Sequence, residues 1–385
     1  MSFADNEDLA RVFEGSLRPQ RLLDAVAIEA GTPIDPAKTL MVFDEIQACP
    51  RAIESLKAFN EQLPDLALIG AGSLLGLALH RGTSFPVGKV SWLNMYPMTY
   101  GEFLRATGNE SLVSLLASQD FSLIDSFRER YIDALRSYYF VGGMPEVVEE
   151  FAASRNYQAV RTIQQDLLID YEHDFSKYAE PQETEWIRLA WGSIPGQLAR
   201  ENRKYVYSAV KPSGRARDFE VAIQWLVDAG LALRVNRVAK PGIPLEAYED
   251  FGAFKLFMLD TGLLGARSSL NPKTLLEGNR LFEEFKGALT EQYVCQTMVA
   301  RGMRPWYWSA SNSSGKIDFP FERDGNPVPV EVKAEENLRA KSLRAFCNKY
   351  SIPHAIRTSM APYRQEEWLT NLPLYAAELL ESVAM

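Results

Sequence analysis

The sequence predicts an α/β protein of several domains, and three observations support this fold class. Short apolar runs alternate with helical patterns over the first 100 residues, as in βα units around a parallel sheet. Near the middle, helical patterns are followed by an alternating apolar–polar stretch. The last segment opens on an apolar helix and continues with short strands. A chain of 385 residues has room for two or three domains.

Composition narrows the class of protein. The chain is 46% hydrophobic and 24% charged, which is ordinary for a globular protein with sizeable cores. Its 3 cysteines are odd in number and widely spaced, so neither a disulfide framework nor a structural zinc site is expected. No apolar run is long enough to span a bilayer, and the first residues are acidic. We therefore expect no membrane association, no signal peptide and a cytoplasmic location.

The formal net charge of −9 lies entirely in the first 150 residues, which hold 12 basic and 21 acidic side chains. Whole-chain charge therefore does not favour nucleic-acid binding, although a local basic stripe can act alone. The positions of Gly and Pro residues, together with changes in hydrophobic periodicity, divide the chain into four segments. These are residues 1–100 with βα units, 101–180 with helices, 181–280 with a winged-helix pattern, and 281–385 with a further α/β domain.

Two predicted strands in the first segment end in polar residues. Residues 39–43 (TLMVF) lead into Asp44 and Glu45, and residues 65–69 (DLALI) lead into a Gly-Ala-Gly-Ser turn that ends at Ser73. Such continuous apolar runs predict strands covered on both faces, and residues 89–93 are a candidate third strand. Ligands of open α/β sheets bind at the carboxyl ends of the strands. The pattern suits nucleotide hydrolysis, with Asp44 on a Mg²⁺ water shell, Glu45 on the attacking water and Ser73 near a terminal phosphate.

Two observations qualify this interpretation. The two carboxylates are equally suited to beginning a solvated loop and capping the next helix. The glycine-rich phosphate-binding sequence GxxxxGK[ST] does not occur in these 385 residues.

The third segment combines a winged-helix pattern with a basic stripe. We predict a helix over residues 186–201, a strand over 205–210, a helix over 218–229 and an alternating β-wing after it. The stripe suits phosphate contacts, but a solvated loop or a face docking on the acidic first segment explains it equally well. Its members are Arg200, Arg203, Lys204, Lys211, Arg215 and Arg217, against the single acid Glu201.

The last segment carries a D…ExK pattern. Asp318 lies in GKIDFPFE and Glu331 in PVPVEVKA, a separation that suits a hairpin placing the two acids side by side. Residues two apart share one strand face, so Glu331 and Lys333 point the same way. Two carboxylates and a lysine can bind Mg²⁺ and activate water for phosphodiester cleavage. Glu291 on the preceding helix would complete the site, with Glu284 as a competing choice. A solvated charged strand is the simpler alternative.

Several strings together resemble one family. They include FEGSLRPQRLL, KTLMVFDEIQACPRAIESLKAF, GAGSLLGLALHRGTSFPVGKV, MYPMTYGEFL, FVGGMPEVV, YSAVKPSGRARDFEVAIQWLVDAGL, FKGALTEQYV and PVEVKAEEN. The chain is similar, over its whole length, to prokaryotic AAA-type ATP-binding proteins with a C-terminal domain of unassigned function. The D…ExK segment itself resembles restriction-endonuclease-like nucleases.

This resemblance implies specific roles and partners. Asp44 and Glu45 match the family's Walker B motif, Ser73 its sensor position, and Arg81 lies where an arginine finger could be. Residues 101–180 would be a helical lid, and ATP with Mg²⁺ would be the cofactor. Family members usually begin upstream with a strand and a Walker A loop, so a partial P-loop sheet and impaired nucleotide binding are expected here. DNA is the expected partner, in a protein that could be a homo-oligomer.

The C-terminal pattern implies a geometry. If it forms a site for Mg²⁺ or Mn²⁺, the heads of Asp318, Glu331 and Lys333 should converge on one face of a mixed sheet. Glu291 should approach from its helix. Crowding of the two acids should raise the pKa of at least one carboxyl unless Lys333 or a metal compensates.

Overall fold

The structure is a computed structural model that describes residues 1–4, 6–73, 76, 88–201, 203–212, 214–277, 283–310, 315–336 and 340–383. The protein is a mixed α/β chain, as the sequence predicts. It divides into two compact units. The first comprises Met1–Met95 with Gln224–Leu231, and the second comprises Tyr96–Ile223 with Ala232–Met385. No helix in the described part of the chain is long and apolar enough to cross a membrane.

The first unit is built on a parallel pair of strands with helices around it. Its elements are α1 Glu7–Glu14, α2 Pro19–Ala30, β1 Leu40–Phe43, α3 Pro50–Gln62 and β2 Ala67–Gly70. Strand β1 pairs with β2 in parallel, with Leu40 opposite Ala67 and Phe43 opposite Gly70. On its other edge β1 is extended by the amino-terminal residues, because Phe3 N donates to Asp44 O at 3.0 Å and Asp44 N donates to Met1 O at 2.8 Å.

One face of this pair of strands is buried. Phe43 packs edge-to-face against Phe3 and Phe13, with ring centroids 5.4 and 5.6 Å away. On the opposite face, Leu40 and Val42 are 57% and 37% exposed. The prediction that these strands are covered on both faces is therefore wrong for β1. A continuous apolar run reports hydrophobicity on both faces and does not show that both have something to pack against.

The predicted strand over residues 89–93 does not form. Those residues are irregular, and Leu93 is 83% exposed. The segment has no hydrogen-bonded strand partner among the described residues. Propensity alone does not make a strand without a neighbour to complete its backbone hydrogen bonds.

The second unit begins with a group of helices. Two consecutive helices are divided at Phe127, whose φ of −111° and ψ of 15° lie outside the α region. Tyr131 and Tyr138 are fully buried in this group, so its core is aromatic. The helices are α4 Tyr100–Ala106, α5 Glu110–Ser118, α6 Phe121–Ser126, α7 Arg128–Val141, α8 Pro145–Ser154, α9 Tyr157–Tyr178 and α10 Pro181–Leu198.

The FVGG turn after α7 is fixed by a buried carboxylate. Gly142 has φ 75° and ψ −162°, a conformation that is essentially restricted to glycine. The amide of Gly143 donates to Asp260 Oδ2 at 2.7 Å, and Asp260 Oδ1 accepts from Leu263 N at 2.9 Å. One carboxylate thus ends one helix and caps the start of another.

The third predicted segment folds as helices followed by a hairpin. Its elements are α11 Tyr207–Val210, α12 Ala216–Asp228, β3 Ala232–Val238, β4 Glu249–Met258, α13 Thr261–Arg267 and α14 Pro272–Glu277. Strands β3 and β4 are antiparallel with Ala232 opposite Met258. The predicted strand over residues 205–210 is wrong, because four of those residues form α11. Only Tyr205 joins the hairpin, through a 2.8 Å hydrogen bond from its amide to Phe254 O.

The C-terminal segment wraps a mixed sheet with helices. It contains α15 Glu283–Ala300, β5 Trp308–Ser309, β6 Lys316–Ile317, β7 Phe321–Arg323, β8 Asn326–Val328, β9 Val330–Val332, α16 Lys341–Tyr350, β10 Ala355–Ser359, β11 Arg364–Gln365 and β12 Leu369–Pro373. The largest sheet has the order β11–β12–β10–β9, with β11 antiparallel to β12 and the other pairs parallel.

Helix α15 is the central support of this segment, and it buries polar as well as apolar side chains. Gln292 accepts a hydrogen bond from Met258 N at 3.0 Å and donates to Met258 O at 2.6 Å. Gln296 accepts from Thr261 N at 2.9 Å. Amphipathic periodicity is therefore weak in α15, since the helix binds the backbone of the preceding segment through amide side chains.

Candidate functional site

Asp318 and Glu331 lie opposite each other across an antiparallel pairing. The hairpin of β7 and β8 has Phe321 opposite Val328. Phe319 and Val330 then exchange both backbone hydrogen bonds, at 3.1 and 3.2 Å. Continuing the same register by one residue places Asp318 opposite Glu331, in a pair without mutual backbone hydrogen bonds. Side chains at such a position stand close together on one face.

Each of these buried acids keeps an oxygen available. Asp318 is 3% exposed and Glu331 is 6% exposed. Asp318 Oδ2 accepts from Val332 N at 2.9 Å, which fixes the carboxylate. Asp318 Oδ1 and Glu331 Oε2 are buried and accept no hydrogen bond from the described residues. Buried carboxylate oxygens are costly without a partner, so these two atoms mark a place where a ligand would be stabilised.

Two lysines flank this pair of acids. Lys333 Nζ lies 3.1 Å from Glu331 Oε1, and 37% of the lysine side chain is exposed. Lys316 Nζ lies 3.4 Å from Asp318 Oδ1, with 44% of its side chain exposed. Both ammonium groups therefore stand between the buried carboxylates and solvent.

Glu291 approaches from α15 but is held by basic side chains. Its side chain is 2% exposed. Oε2 accepts a hydrogen bond from the equally buried Lys255 Nζ at 3.1 Å, and Oε1 forms an ion pair with Arg203. Lys316 Nζ lies 3.6 Å from the same Oε1. Both oxygens of Glu291 thus have cationic partners, which a metal ion would have to displace. The metal-ligand role of Glu291 remains a prediction. The side chain of the competing Glu284 lies outside the described residues.

The pKa values of the two facing carboxyls shift in opposite directions. Burial disfavours the charged form of Asp318, but the nearby charges of Lys316 and Lys255 outweigh it and hold the pKa of that carboxyl below its usual range. Burial raises the pKa of Glu331, and the charge of Asp318 adds to that rise while Lys333 opposes it. The raised pKa of Glu331 therefore comes mainly from burial, and the crowding by Asp318 that the sequence analysis expected is a smaller contribution.

These groups open onto one cavity of about 280 Å³. Its walls combine acids, bases and small residues that leave room for a ligand. The lining residues are Arg203, Gly287, Glu291, Lys316, Asp318, Glu331, Val332, Lys333, Ala334 and Ser342. The four residues predicted for the C-terminal site are thus all part of the same wall.

The donor set suits a divalent cation bound by few protein ligands. Within the described residues, no three Asp, Glu, His or Cys side chains are grouped for metal binding. Mg²⁺ commonly uses one or two protein carboxylates and completes its shell with water and substrate phosphate. Glu331 Oε2, which accepts no hydrogen bond, and Asp318 Oδ1, whose one ionic neighbour among the described residues is Lys316 at 3.4 Å, fit that mode of binding.

The polar residues of the first unit also meet at one edge. Asp44 and Glu45 follow β1 and Ser73 follows β2, at the carboxyl ends of the parallel pair. Ile46 N donates to Ala71 O at 3.0 Å, which joins the two turns. Glu45 has a left-handed φ of 50°, an uncommon backbone for this residue type. Arg81, the predicted arginine finger, lies outside the described residues.

The predicted basic stripe is divided between two environments. Arg203 is partly buried in the cavity wall, with 14% of its side chain exposed. Lys211 lies over the Trp186 ring at 4.5 Å and 3.6 Å from Glu185. The remaining members, Arg200, Lys204, Arg215 and Arg217, are exposed.

Comparison with family models assigns the three parts of the chain. Residues 2–104 match the model of an AAA domain. The N-terminal segment is therefore similar to AAA domains. Residues 132–274 match a domain of unknown function, DUF8612, and residues 286–376 match a second one, DUF4143. No curated protein matches this chain.

Among solved structures, the chain matches a Walker-type ATPase of Pyrococcus abyssi with a TM-score of 0.39 and 15% sequence identity. The match covers 66% of this chain and 69% of that one. The assignment of the AAA domain rests on the family model for residues 2–104.

Three residues next to the acid pair and Glu291 were not predicted as site residues. Lys316 precedes Asp318 by two positions in GKIDF, a spacing that could have indicated a shared face. Arg203 was assigned to a surface stripe, whereas the structure pairs it with Glu291. Lys255 lies in the apolar run of β4 and is buried beside Glu291. No local sequence signal reveals that contact.

Proposed function

We propose that this chain is a nucleic-acid-directed AAA-type protein whose C-terminal domain is a metal-dependent nuclease. The observation that carries the proposal is the opposed pair Asp318 and Glu331 in the cavity wall, where each acid has one oxygen that accepts no hydrogen bond. Lys333 completes the arrangement at 3.1 Å from Glu331. Two carboxylates and a lysine on one wall are the groups that hydrolysis of a phosphodiester requires.

Each group has a role that follows from its position. Asp318 and Glu331 would hold Mg²⁺ or Mn²⁺, which supplies Lewis-acid polarisation of a phosphodiester when bound. Val332 N keeps the Asp318 carboxylate in place through its 2.9 Å hydrogen bond. Lys333, one-third exposed, can stabilise the negative charge that develops on the phosphate oxygens.

Exposed basic side chains support a nucleic-acid substrate. Arg200, Lys204, Arg215 and Arg217 remain exposed around α11 and the start of α12. Such a group provides sequence-independent phosphate contacts, for which we infer DNA as the partner.

Cleavage of DNA by the full chain tests the proposal. We expect cleavage of branched or single-stranded DNA with Mg²⁺ or Mn²⁺ and none with EDTA. Asp318→Asn and Glu331→Gln should reduce cleavage to the level of a reaction without protein, because each removes a cation ligand. Asp324→Asn is the matched control, since Asp324 lies exposed in the turn between β7 and β8 and should leave cleavage unchanged.

Two outcomes would overturn the proposal that the C-terminal domain is a nuclease. Cleavage unaffected by Asp318→Asn would place the activity elsewhere. Salt-dependent binding of duplex DNA without cleavage, lost in Arg215→Ala/Arg217→Ala, would favour a non-enzymatic winged-helix regulator instead.

The AAA domain leads to a second proposal, concerning nucleotide. We infer that Asp44 and Glu45 would position Mg²⁺ and water and that Ser73 would face a terminal phosphate, since the three share one edge of the sheet. The 385 residues contain no GxxxxGK[ST] sequence to cradle the phosphates.

We therefore expect weak or undetectable ATP binding by these residues, measured by titration calorimetry with Mg²⁺. Asp44→Asn serves as the control for whatever residual heat is observed. Micromolar affinity for ATP in this chain that Asp44→Asn weakens would contradict the expectation.

A further inference from the structure

The cavity is assembled from two parts of the chain that match different family models. Glu291, Asp318, Glu331 and Lys333 lie within residues 286–376. The two basic side chains that engage the oxygens of Glu291 come from residues 132–274: Arg203 from the segment between α10 and α11, and Lys255 from β4. Neither matched segment contains the whole site.

We propose that Arg203 and Lys316 form a phosphate-binding pair, organised by Glu291, that holds a nucleic-acid phosphodiester beside Asp318 and Glu331. This inference rests on the proposed nuclease function and names the group that would bind its substrate. In this arrangement Glu291 is a positioning residue, and its carboxylate aligns basic side chains.

Arg203 is anchored from several directions. Its Nε donates to Leu198 O at 3.1 Å, and its guanidinium pairs with Glu291. The guanidinium also passes close to α15 at Gly287, where an added Cβ would lie 2.8 Å from Nη2. Glycine at this position admits the arginine against the helix. A guanidinium held in this way loses little conformational freedom when it binds a ligand.

Basic side chains of the cavity wall lie next to the acid pair and can receive an anion. The cavity is lined by three basic groups, Arg203, Lys316 and Lys333, and by three acids, Glu291, Asp318 and Glu331. The buried Lys255 donates to Glu291 Oε2 from outside this lining. Lys316 bridges the two halves, 3.6 Å from Glu291 and 3.4 Å from Asp318, and reaches solvent.

A phosphodiester suits this wall better than a carboxylate or a neutral sugar. It offers two charged oxygens, one for the basic pair and one directed toward the acids and their cation. Arginine matches phosphate through parallel N–H donors, and a lysine adds a point charge beside it.

Metal-free DNA binding by the full chain tests the pair. With EDTA present, a fluorescent single-stranded oligonucleotide should bind Arg203→Gln about tenfold more weakly than the unaltered protein, the loss expected for one charge-assisted contact. The slope of log affinity against log salt should fall by about one. Lys316→Gln should behave in the same way. Arg301→Gln, which removes an exposed charge just after α15, is the control and should bind like the unaltered protein.

A double variant separates phosphate contact from a purely structural role. In Arg203→Gln/Glu291→Gln the charge that Arg203 pairs with is removed, while the amide oxygen introduced at position 291 can still accept a hydrogen bond from Lys255. Binding that stays about tenfold weak in the double variant supports a direct contact, since the loss equals that of one charge-assisted bond. Recovery of binding to the level of Glu291→Gln alone would overturn it.

Different measurements would contradict the nuclease proposal and the phosphate-binding proposal. Mn²⁺ binding, followed by the loss of its free electron-spin-resonance signal, should disappear in Asp318→Asn/Glu331→Gln and persist in Arg203→Gln. Unchanged Mn²⁺ binding in Asp318→Asn/Glu331→Gln would overturn the proposed metal site and leave the phosphate-binding proposal standing. If Arg203→Gln binds DNA as tightly as Arg301→Gln, the phosphate-binding proposal is overturned and the metal-site proposal stands.

Discussion

Lys255→Met is expected to lower the free energy of unfolding of the second unit by about 3–5 kcal/mol, the cost of breaking a buried ion pair from one side. Lys255 and Glu291 are each 2% exposed, and their side chains are 3.1 Å apart. Removing the lysine leaves Glu291 Oε2 without its hydrogen-bond donor in a place that water does not reach. Urea denaturation followed by tryptophan fluorescence measures the change.

Two companion variants make this expectation specific. Lys273→Met removes an exposed lysine of the same unit and should change the free energy of unfolding by less than about 0.5 kcal/mol. Adding Glu291→Leu to Lys255→Met should recover much of the loss, because a buried pair replaced by apolar side chains is often neutral or stabilising. Equal stabilities of Lys255→Met and Lys273→Met would show that the pair contributes nothing.

Gly142→Ala is expected to lower the free energy of unfolding by about 3 kcal/mol or more, from backbone strain together with a disrupted carboxylate. Gly142 has φ 75° and ψ −162°, where an L side chain is strained. A Cβ there would lie 2.1 Å from Asp260 Oδ1. Asp260 is completely buried and accepts from Gly143 N and Leu263 N, so its displacement would leave two amides unpaired.

Gly108→Ala is the matched control for this change. Gly108 also has a positive φ, 84°, but an added Cβ would meet nothing within 4 Å. Its cost should be about 1 kcal/mol, the backbone part alone. Thermal unfolding of the two variants side by side measures how much more the glycine-only backbone of Gly142 and the clash with Asp260 together cost than a positive φ in open space. Equal shifts in Tm would contradict the role given to the carboxylate.

The acid pair could be predicted from sequence because its contacts are local. Asp318 and Glu331 are joined by a hairpin, and a short loop of fixed register sets residues on one strand opposite those on the other. The order of a helix carrying Glu291 before the strands was also readable from apolar runs. The strand boundaries were not, because residues 316–332 divide into short pieces with different partners.

The partners of Glu291 could not be predicted because they depend on tertiary packing. Arg203 looked like part of a surface stripe, since five other basic residues surround it in sequence. Lys255 stands among apolar residues of β4, and only the position of α15 shows why a lysine is buried there. Residues 205–210 mislead for the same reason, since their β-branched and aromatic residues indicate a strand whereas four of them form α11.

The first unit shows the limit of reading apolar runs. Residues 40–43 form β1 as predicted, yet Leu40 and Val42 remain exposed on one face. Residues 89–93, of which three are apolar, form no strand. Hydrophobicity predicts a tendency to be buried, and the partner that would bury it is a property of the whole sheet.

The glutamines of α15 have a consequence for how such chains can diverge. Gln292 forms hydrogen bonds with both backbone groups of Met258, and Gln296 accepts one from Thr261 N. Side chains of one helix thus bind main-chain groups of the preceding segment. A recombination breakpoint between those two segments would unite a foreign helix with backbone groups it does not satisfy. Exchange of whole modules is therefore disfavoured at this junction, and the DUF8612 and DUF4143 segments should be inherited as one unit. In a set of homologues, Gln292 and Gln296 should be retained whatever side chains occupy positions 258 and 261, because both glutamines bind main-chain groups.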